Sequence, residues 1–334
     1  SLKINSWKLL FDKRKYSFCT RPNRSIIIIM KDEIIKITRV KNASLDEATP
    51  VEIQNDRFMR LMSYYLNDFD TIVKLEDVKE VANIGVDDAA AFCYVLSAFL
   101  GIDARKKDRK FFNDYFLQSI KALDVNDYYN DEYYKTVTFN DESLGDVVLT
   151  YKTYAPCQGF VRDDYKFFDD GKVLPLIGFF KTEYRYPAIL QNGVEWMTLL
   201  PNEINSQKKY IKKARGKVLT YGLGLGYYVF HAAIKPDVES VTVVDVNKNV
   251  IDVFCERILP GFPERAKKKI KIVRADAFKF AENLKDGDYD YIYADIWRDC
   301  GDGRDLYLKF KDSEKFCPSA EFGYWIEDSI KYYL

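Results

Sequence analysis

The chain reads as an α/β protein: a mostly parallel sheet in its last third, preceded by a helical region and a small antiparallel β region. Three observations carry this. From residue 201 onward, β-branched runs alternate with helical stretches at the spacing of βαβ units. Between 136 and 199 the apolar period is two, and before about residue 125 it is three to four. With 334 residues, 47% of them apolar, the chain can bury a large core, and its length suggests more than one domain. The expected organisation is a mostly helical unit over 1–135 that begins with a hairpin, a small β region over 136–200, and a cofactor-binding unit over 201–334.

Taken in order, "SIIIIMKDEIIKITRV" (25–40) predicts two strands around a Lys-Asp-Glu turn. Helical spacing follows in 53–69, 85–102 and 106–123, the second ending on Gly101. The acidic, tyrosine-rich stretch "VNDYYNDEYYK" (125–135) suits a solvated loop better than a ring-stacking surface. "TVTFNDESLGDVVLTYKTY" predicts a hairpin around Glu142 to Gly145, and "YPAILQNGVEWMTL" a second with Asn192-Gly193 at its tip. A helix over 201–214 opens on proline and closes on cations. Strands are then expected at 217–221, 240–246, 270–275 and 289–295, with helices around 227–235, 247–258 and 277–285. After Asp295 both "DGRDLYLKFKD" and "AEFGYWIEDSIKYYL" read as helices, so the sheet is expected to stop after its fourth strand.

Composition excludes several chemistries. Lys plus Arg equal Asp plus Glu at 51 each, so no overall field favours nucleic acid or an anionic membrane. The six cysteines (Cys19, Cys93, Cys157, Cys255, Cys300 and Cys317) contain no CxxC pair and read as free thiols of a reducing compartment. The opening stretch has charges too closely spaced for a signal peptide, and Ser1 in place of Met suggests processing or a cloning remnant. The apolar runs fall short of the roughly 20 residues that span a bilayer, so a soluble, cytoplasmic protein is expected. The only histidine, His231, removes multi-histidine zinc sites and, within "VFHAAI", suits hydrogen-bonded packing better than catalysis.

The chemistry concentrates in "VLTYGLGLGYYVF" (218–230). At the carboxyl end of a first parallel strand, glycines let backbone approach a ligand and let the following helix pack closely. Gly222, Gly224 and Gly226 fit that place, although a crowded strand-to-helix turn selects the same residues. Three aspartates end the successive strands. Asp245 lies about 20 residues beyond the loop, where a carboxylate accepts ribose hydroxyls; Asp276 and Asp295 follow the third and fourth strands. Ligands of open α/β sheets bind outside these strand ends, so the glycines and carboxylates should converge. Each aspartate also has a plain role open to it: Asp245 and Asp276 as helix caps, Asp295 as a turn residue.

The run "KVLTYGLGLG…VESVTVVDVNKNVIDVF…IKIVRADAFKFAENL…YDYIYAD" resembles the Rossmann-like core of class I S-adenosylmethionine-dependent methyltransferases, nearest to the spermidine synthase branch, over about 185–299. The resemblance implies that Gly222, Gly224 and Gly226 face the methionine and ribose of the cofactor, with Tyr221 beside them among the cofactor-binding residues. It further implies that Asp245 and Val246 hold the ribose, that Asp276 and Ala277 meet adenine, and that Asp295 sits beside the sulfonium. Thr220 stands where many methyltransferases have an acid, and Leu225 where aminopropyltransferases have an aspartate for the donor amine. Leu225 therefore favours intact S-adenosylmethionine, with S-adenosylhomocysteine as product, over the decarboxylated donor. Arg298 could pair with the donor carboxylate but suits the surface better.

In-line displacement at a sulfonium needs mainly orientation, worth roughly 7 to 11 kcal/mol. A base serves only protonated acceptors, and Asp295 comes first for that role, Asp299 second. Tyr221, Tyr227, Tyr293 and Trp297 are aromatic candidates for adenine or sulfonium contact, with packing their ordinary role. The expected activity is thus methyl transfer to a small-molecule or protein acceptor by a possible homodimer, with no nucleic-acid or membrane partner and no metal. The alternatives are aminopropyl transfer, or a non-catalytic module that keeps the cofactor fold. A nicotinamide dehydrogenase is weaker still, because Gly226 is followed by Tyr227, Tyr228 and Val229 where a dinucleotide loop has a later glycine.

Overall fold

A computed structural model describes residues 26–31, 34–39, 49–138, 141–145 and 147–334; Cys19, the charged opening stretch and the tip of the first hairpin lie outside them. Strands β1 (Ile26–Lys31) and β2 (Ile34–Arg39) pair antiparallel, as their alternation with a polar turn requires.

Helix α1 (Pro50–Asp68) starts three residues before its apolar spacing suggests, because Thr49 and Glu52 form a reciprocal capping box with Pro50 in the first turn. Then come α2 (Leu75–Ala82), which the spacing did not reveal, α3 (Asp88–Phe99), capped by Asp87, and α4 (109–119), which holds a π-helical turn over Phe112–Phe116. Their apolar faces enclose Phe58, Phe92, Phe112 and Phe116 in one core, closed on its far side by a sheet.

That sheet is mixed. β3 (Ile120–Leu123) runs parallel to β7 (Val173–Phe180), and β6 (Phe160–Phe167) lies antiparallel on the other side. All eight residues of β7 are buried. Pro175 interrupts its ladder with β6, where the register shifts between Asp163 and Lys166, as a residue without an N–H must do in a central strand. The tyrosine-rich stretch forms two short helices, α5 (Asn126–Tyr129) and α6 (Glu132–Thr136), that bury Tyr128 and Tyr133; the solvated loop expected there is corrected. A second sheet, fully antiparallel, has the order β4 (Glu142–Leu144), β5 (Val147–Tyr154), β8 (Tyr184–Gln191), β9 (Val194–Thr198). At its Asn192-Gly193 tip both residues have positive φ, 52° and 77°, the signature of a type I′ turn.

Past Pro201 the chain is Rossmann-like. Helix α7 (Pro201–Lys213) leads into β10 (Gly216–Tyr221), α8 (Tyr227–Ile234), β11 (Val238–Asp245), α9 (Lys248–Val253), the short α10 (Glu264–Lys267), β12 (Ile270–Arg274), α11 (Ala277–Ala281), β13 (Tyr291–Ala294) and α12 (Cys300–Ser313). The sheet is parallel throughout, in the order β12-β11-β10-β13-β14. Its last member, β14 (Glu321–Tyr324), corrects the expectation of a sheet ending after four strands: "EFGY" pairs with β13, and only α13 (Glu327–Lys331) is helical beyond it. Trp325, just past β14, donates from Nε1 to Ser206 Oγ at 2.8 Å, tying the new edge to α7. No helix among the described residues is long and apolar enough to cross a membrane.

Candidate functional site

The strand order puts β10 and β11 side by side with their carboxyl ends facing one cleft of about 1280 Å³. The glycine loop, Asp245, Val246, Asp276, Ala277 and Asp295 all line it. Trp196 and Met197 of β9 and Glu203 and Gln207 of α7 also line it.

The three loop glycines divide into two kinds. All have positive φ, 94°, 57° and 76° in order, a region costly for other residues. A Cβ on Gly222 would come within 1.9 Å of the Asp295 backbone oxygen, and one on Gly226 within 2.3 Å of the Phe254 ring. A Cβ on Gly224 would meet only Met197 Sδ at 3.6 Å. Gly222 and Gly226 thus serve the crowded turn, and Gly224 leaves backbone bare to the cleft.

Asp245 does not cap α9; Asn247 does, accepting from the amides of Asn249 and Val250. The Asp245 carboxylate accepts from Leu223 N at 3.0 Å and Asn247 N at 2.8 Å, bracing the loop from the neighbouring strand. Burial pushes its pKa up, opposed by those same amides. Val246 stands 65% exposed at the rim. Asp276 lines the cleft but also caps α11 through Lys279 N at 2.9 Å. Asp299 caps α12, accepting from the amides of Gly301 and Asp302; as a proton acceptor it is already engaged. Arg298 is exposed and pairs with Asp302 at 3.1 Å. The Tyr221 side chain is 1% exposed and packs on Phe280 and Phe310. Its side chain thus packs in the core, and its backbone adjoins the loop.

Asp295 is strongly perturbed by its surroundings. It lies at the end of β13 and accepts from Gln207 Nε2 at 3.3 Å, with Tyr293 Oη at 3.5 Å. Protein encloses it on nearly every side but the cleft, and that burial raises its pKa to about 7 against the opposing Tyr293 hydrogen bond. Glu203 faces the same space, its pKa raised well above the carboxylate range by burial and then by the charge of Asp295. Burial of both groups and the charge of Asp295 on Glu203 favour the protonated forms of the two carboxyls. Glu203 and Gln207 escaped the sequence analysis: an acid in the first turn of a helix reads as a dipole partner. Tyr293 stacks on Tyr228 with centroids 4.2 Å apart, beneath the loop. Among the described residues no cluster of His, Cys, Asp and Glu is arranged to hold a metal.

A parallel sheet of this order, with a positive-φ glycine loop after its first strand and acidic residues following the next three, is Rossmann-like. Within it, residues 204–314 match the spermine/spermidine synthase domain, the branch the sequence resembles. The match covers a third of the chain. Among solved structures, spermidine synthase from Thermotoga maritima is 18% identical, with a TM-score of 0.25 over 32% of this chain and 42% of that one. A spermidine synthase in complex with the transition-state analogue AdoDATO is 18% identical, with a TM-score of 0.26 over 33% and 43%. Precorrin 8W decarboxylase from Methanobacterium thermoautotrophicum is 15% identical, with a TM-score of 0.27 over 36% and 60%. The chain thus spans 42% to 60% of the length of these structures. Comparison with curated proteins returns no match.

Proposed function

We propose that the cleft binds an adenosyl sulfonium over the glycine loop and transfers its aminopropyl group to an amine held beside Asp295. The observation that carries this reading is the Glu203–Asp295 pair: two carboxyls lining one cleft, both with pKa raised by burial, suit the reception of an amine and the uptake of its proton. The family match over 204–314 supports the same branch. The bound sulfonium supplies a neutral thioether leaving group. The residues of the chain do the rest: Gly224 offers bare backbone, Asp245 keeps the loop in shape from β11, Gln207 orients the Asp295 carboxyl, and Asp295 accepts the proton that the amine sheds as the new C–N bond forms.

One observation favours a second reading, methyl transfer. Leu225, buried at the cleft wall, gives the amine of a decarboxylated donor no charged partner and tolerates the carboxylate of intact S-adenosylmethionine. Calorimetric titration with S-adenosylmethionine, its decarboxylated form and NAD separates the readings. Tighter binding of the decarboxylated form supports aminopropyl transfer, tighter binding of the intact form supports methyl transfer, and heat from neither overturns both.

A further inference from the structure

We propose that Asp131 and Tyr133, from the tyrosine-rich segment that precedes the antiparallel sheet, are positioning residues for the glycine loop. Tyr133 is fully buried, so its hydroxyl must find an acceptor, and it donates to the backbone oxygen of Leu225 at 2.5 Å. Asp131, the N-cap of α6, takes Tyr227 Oη on one carboxylate oxygen and His231 Nε2 on the other, each at 2.9 Å. Those donors, with the Tyr133 amide, outweigh burial and hold the Asp131 carboxyl below its usual range. The Tyr133 ring also packs edge-on against Tyr227 and Phe230, centroids 5.5 Å away in both cases. One short helix nearly a hundred residues upstream thus grips the loop at Leu225 and the first two turns of α8.

The grip falls where the loop holds itself by one backbone bond. Leu225 lies between Gly224 and Gly226, whose wide conformational range gives the linking peptide planes little intrinsic preference. The plane joining Leu225 to Gly226 is fixed from its N–H side by the bond from Gly226 N to Leu223 O at 2.9 Å, and from its carbonyl side by Tyr133. Loss of the Tyr133 hydroxyl leaves a buried carbonyl without that donor, and rotation of the peptide relieves the cost. Such a rotation changes which backbone groups face the cleft beside Gly224. The consequence for ligand affinity rests on reading the cleft as a donor site; the consequence for the loop does not.

The test uses the full chain as Tyr133→Phe, Asp131→Asn and Tyr134→Phe. Tyr134 sits on the same helix, but its hydroxyl meets Tyr184 Oη and Leu199 O, so it controls for general loss of stability. Amide hydrogen exchange without ligand is expected to speed up about tenfold over 222–228 in Tyr133→Phe and Asp131→Asn, with 240–245 unchanged and no such local effect in Tyr134→Phe. S-adenosylhomocysteine, titrated calorimetrically, is expected to bind Tyr133→Phe about tenfold more weakly than wild type and Tyr134→Phe equally well. Unchanged exchange over the loop, equal acceleration in Tyr134→Phe, or undiminished affinity in Tyr133→Phe overturns the proposal. Failure of the wild type to bind overturns the functional reading alone, and the exchange arm still decides the role of the two residues.

Discussion

Asp295→Asn separates what the carboxylate does for the fold from what it does in the cleft. In the folded chain the group titrates at about 7; in the unfolded chain it returns to roughly 3.9. Between those values the folded state binds the extra proton, so stability falls as pH rises, by about 1.4 kcal/mol per pH unit. The loss is complete above the folded value and amounts to at most about 4 kcal/mol. Asparagine never ionises and keeps an acceptor oxygen for Gln207 Nε2, which now lies 3.3 Å away. The variant should match wild type near pH 4 and exceed it by a few kcal/mol at pH 7.5. With an unfolding entropy of about 2.1 cal/mol/K per residue, 334 residues unfolding as a unit translate about 4 kcal/mol into a Tm gain of about 6 °C. Thermal unfolding followed by circular dichroism from pH 4 to 8 checks this. Stability–pH curves that run parallel in the two proteins would refute the desolvated carboxyl, and with it the pair proposed to receive the amine proton. On the proposed function, the gain should come with loss of aminopropyl transfer, because the carboxylate proposed to take the amine proton has been removed.

Glycine substitutions report on the two halves of the loop. Gly226→Ala combines a positive φ with a Cβ 2.3 Å from the Phe254 ring and should cost roughly 2 to 4 kcal/mol, read as a lower midpoint in urea. The methyl of Gly224→Ala meets only Met197 Sδ, at an ordinary 3.6 Å, so the change should cost only about 1 to 2 kcal/mol for its positive φ while weakening the adenosyl ligand in calorimetry. Asp245→Ala removes the acceptor of Leu223 N and Asn247 N and should lose ligand binding together with about 1 to 3 kcal/mol of stability. Trp325→Phe leaves Ser206 Oγ without its indole donor. A Tm drop worth about 1 to 3 kcal/mol would confirm that the last strand is anchored to α7, and an unchanged Tm would deny it.

How far the sequence discloses this molecule depends on whether a residue's role is local. The four first parallel strands and the Asn192-Gly193 hairpin follow from period, β-branching and turn chemistry, all properties of a few consecutive residues. β14 does not. "EFGY" is followed by "WIEDSIKYY", whose apolar spacing continues a helical reading backward through it, and the strand exists because β13 offers an unpaired edge for Glu321 to Tyr324 to occupy. β7 is equally opaque, since a strand buried on both faces has no alternation to read. At the site, the strand-end aspartates were legible as a set, yet their individual work was not. Asp276 and Asp299 turn out to spend oxygens on helix amides, as capping alone would require. The acid that couples to Asp295 is Glu203, on a helix whose position against β13 no local pattern encodes.

The glycine loop shows why such ambiguity cannot be resolved by counting glycines. A turn and a cradle were competing explanations for "GLGLG", but the competition assumes that one cause selected all three. Gly222 is required by the Asp295 backbone and Gly226 by Phe254, both packing demands, whereas nothing in the protein's interior excludes a side chain at Gly224 except its φ of 57°. Gly224 is therefore the position at which ligand binding and folding make separable demands. A substitution there that costs no more than its positive φ demands and abolishes adenosyl binding isolates the cradle; one that loses stability as heavily as Gly226→Ala returns the loop to the role of a turn.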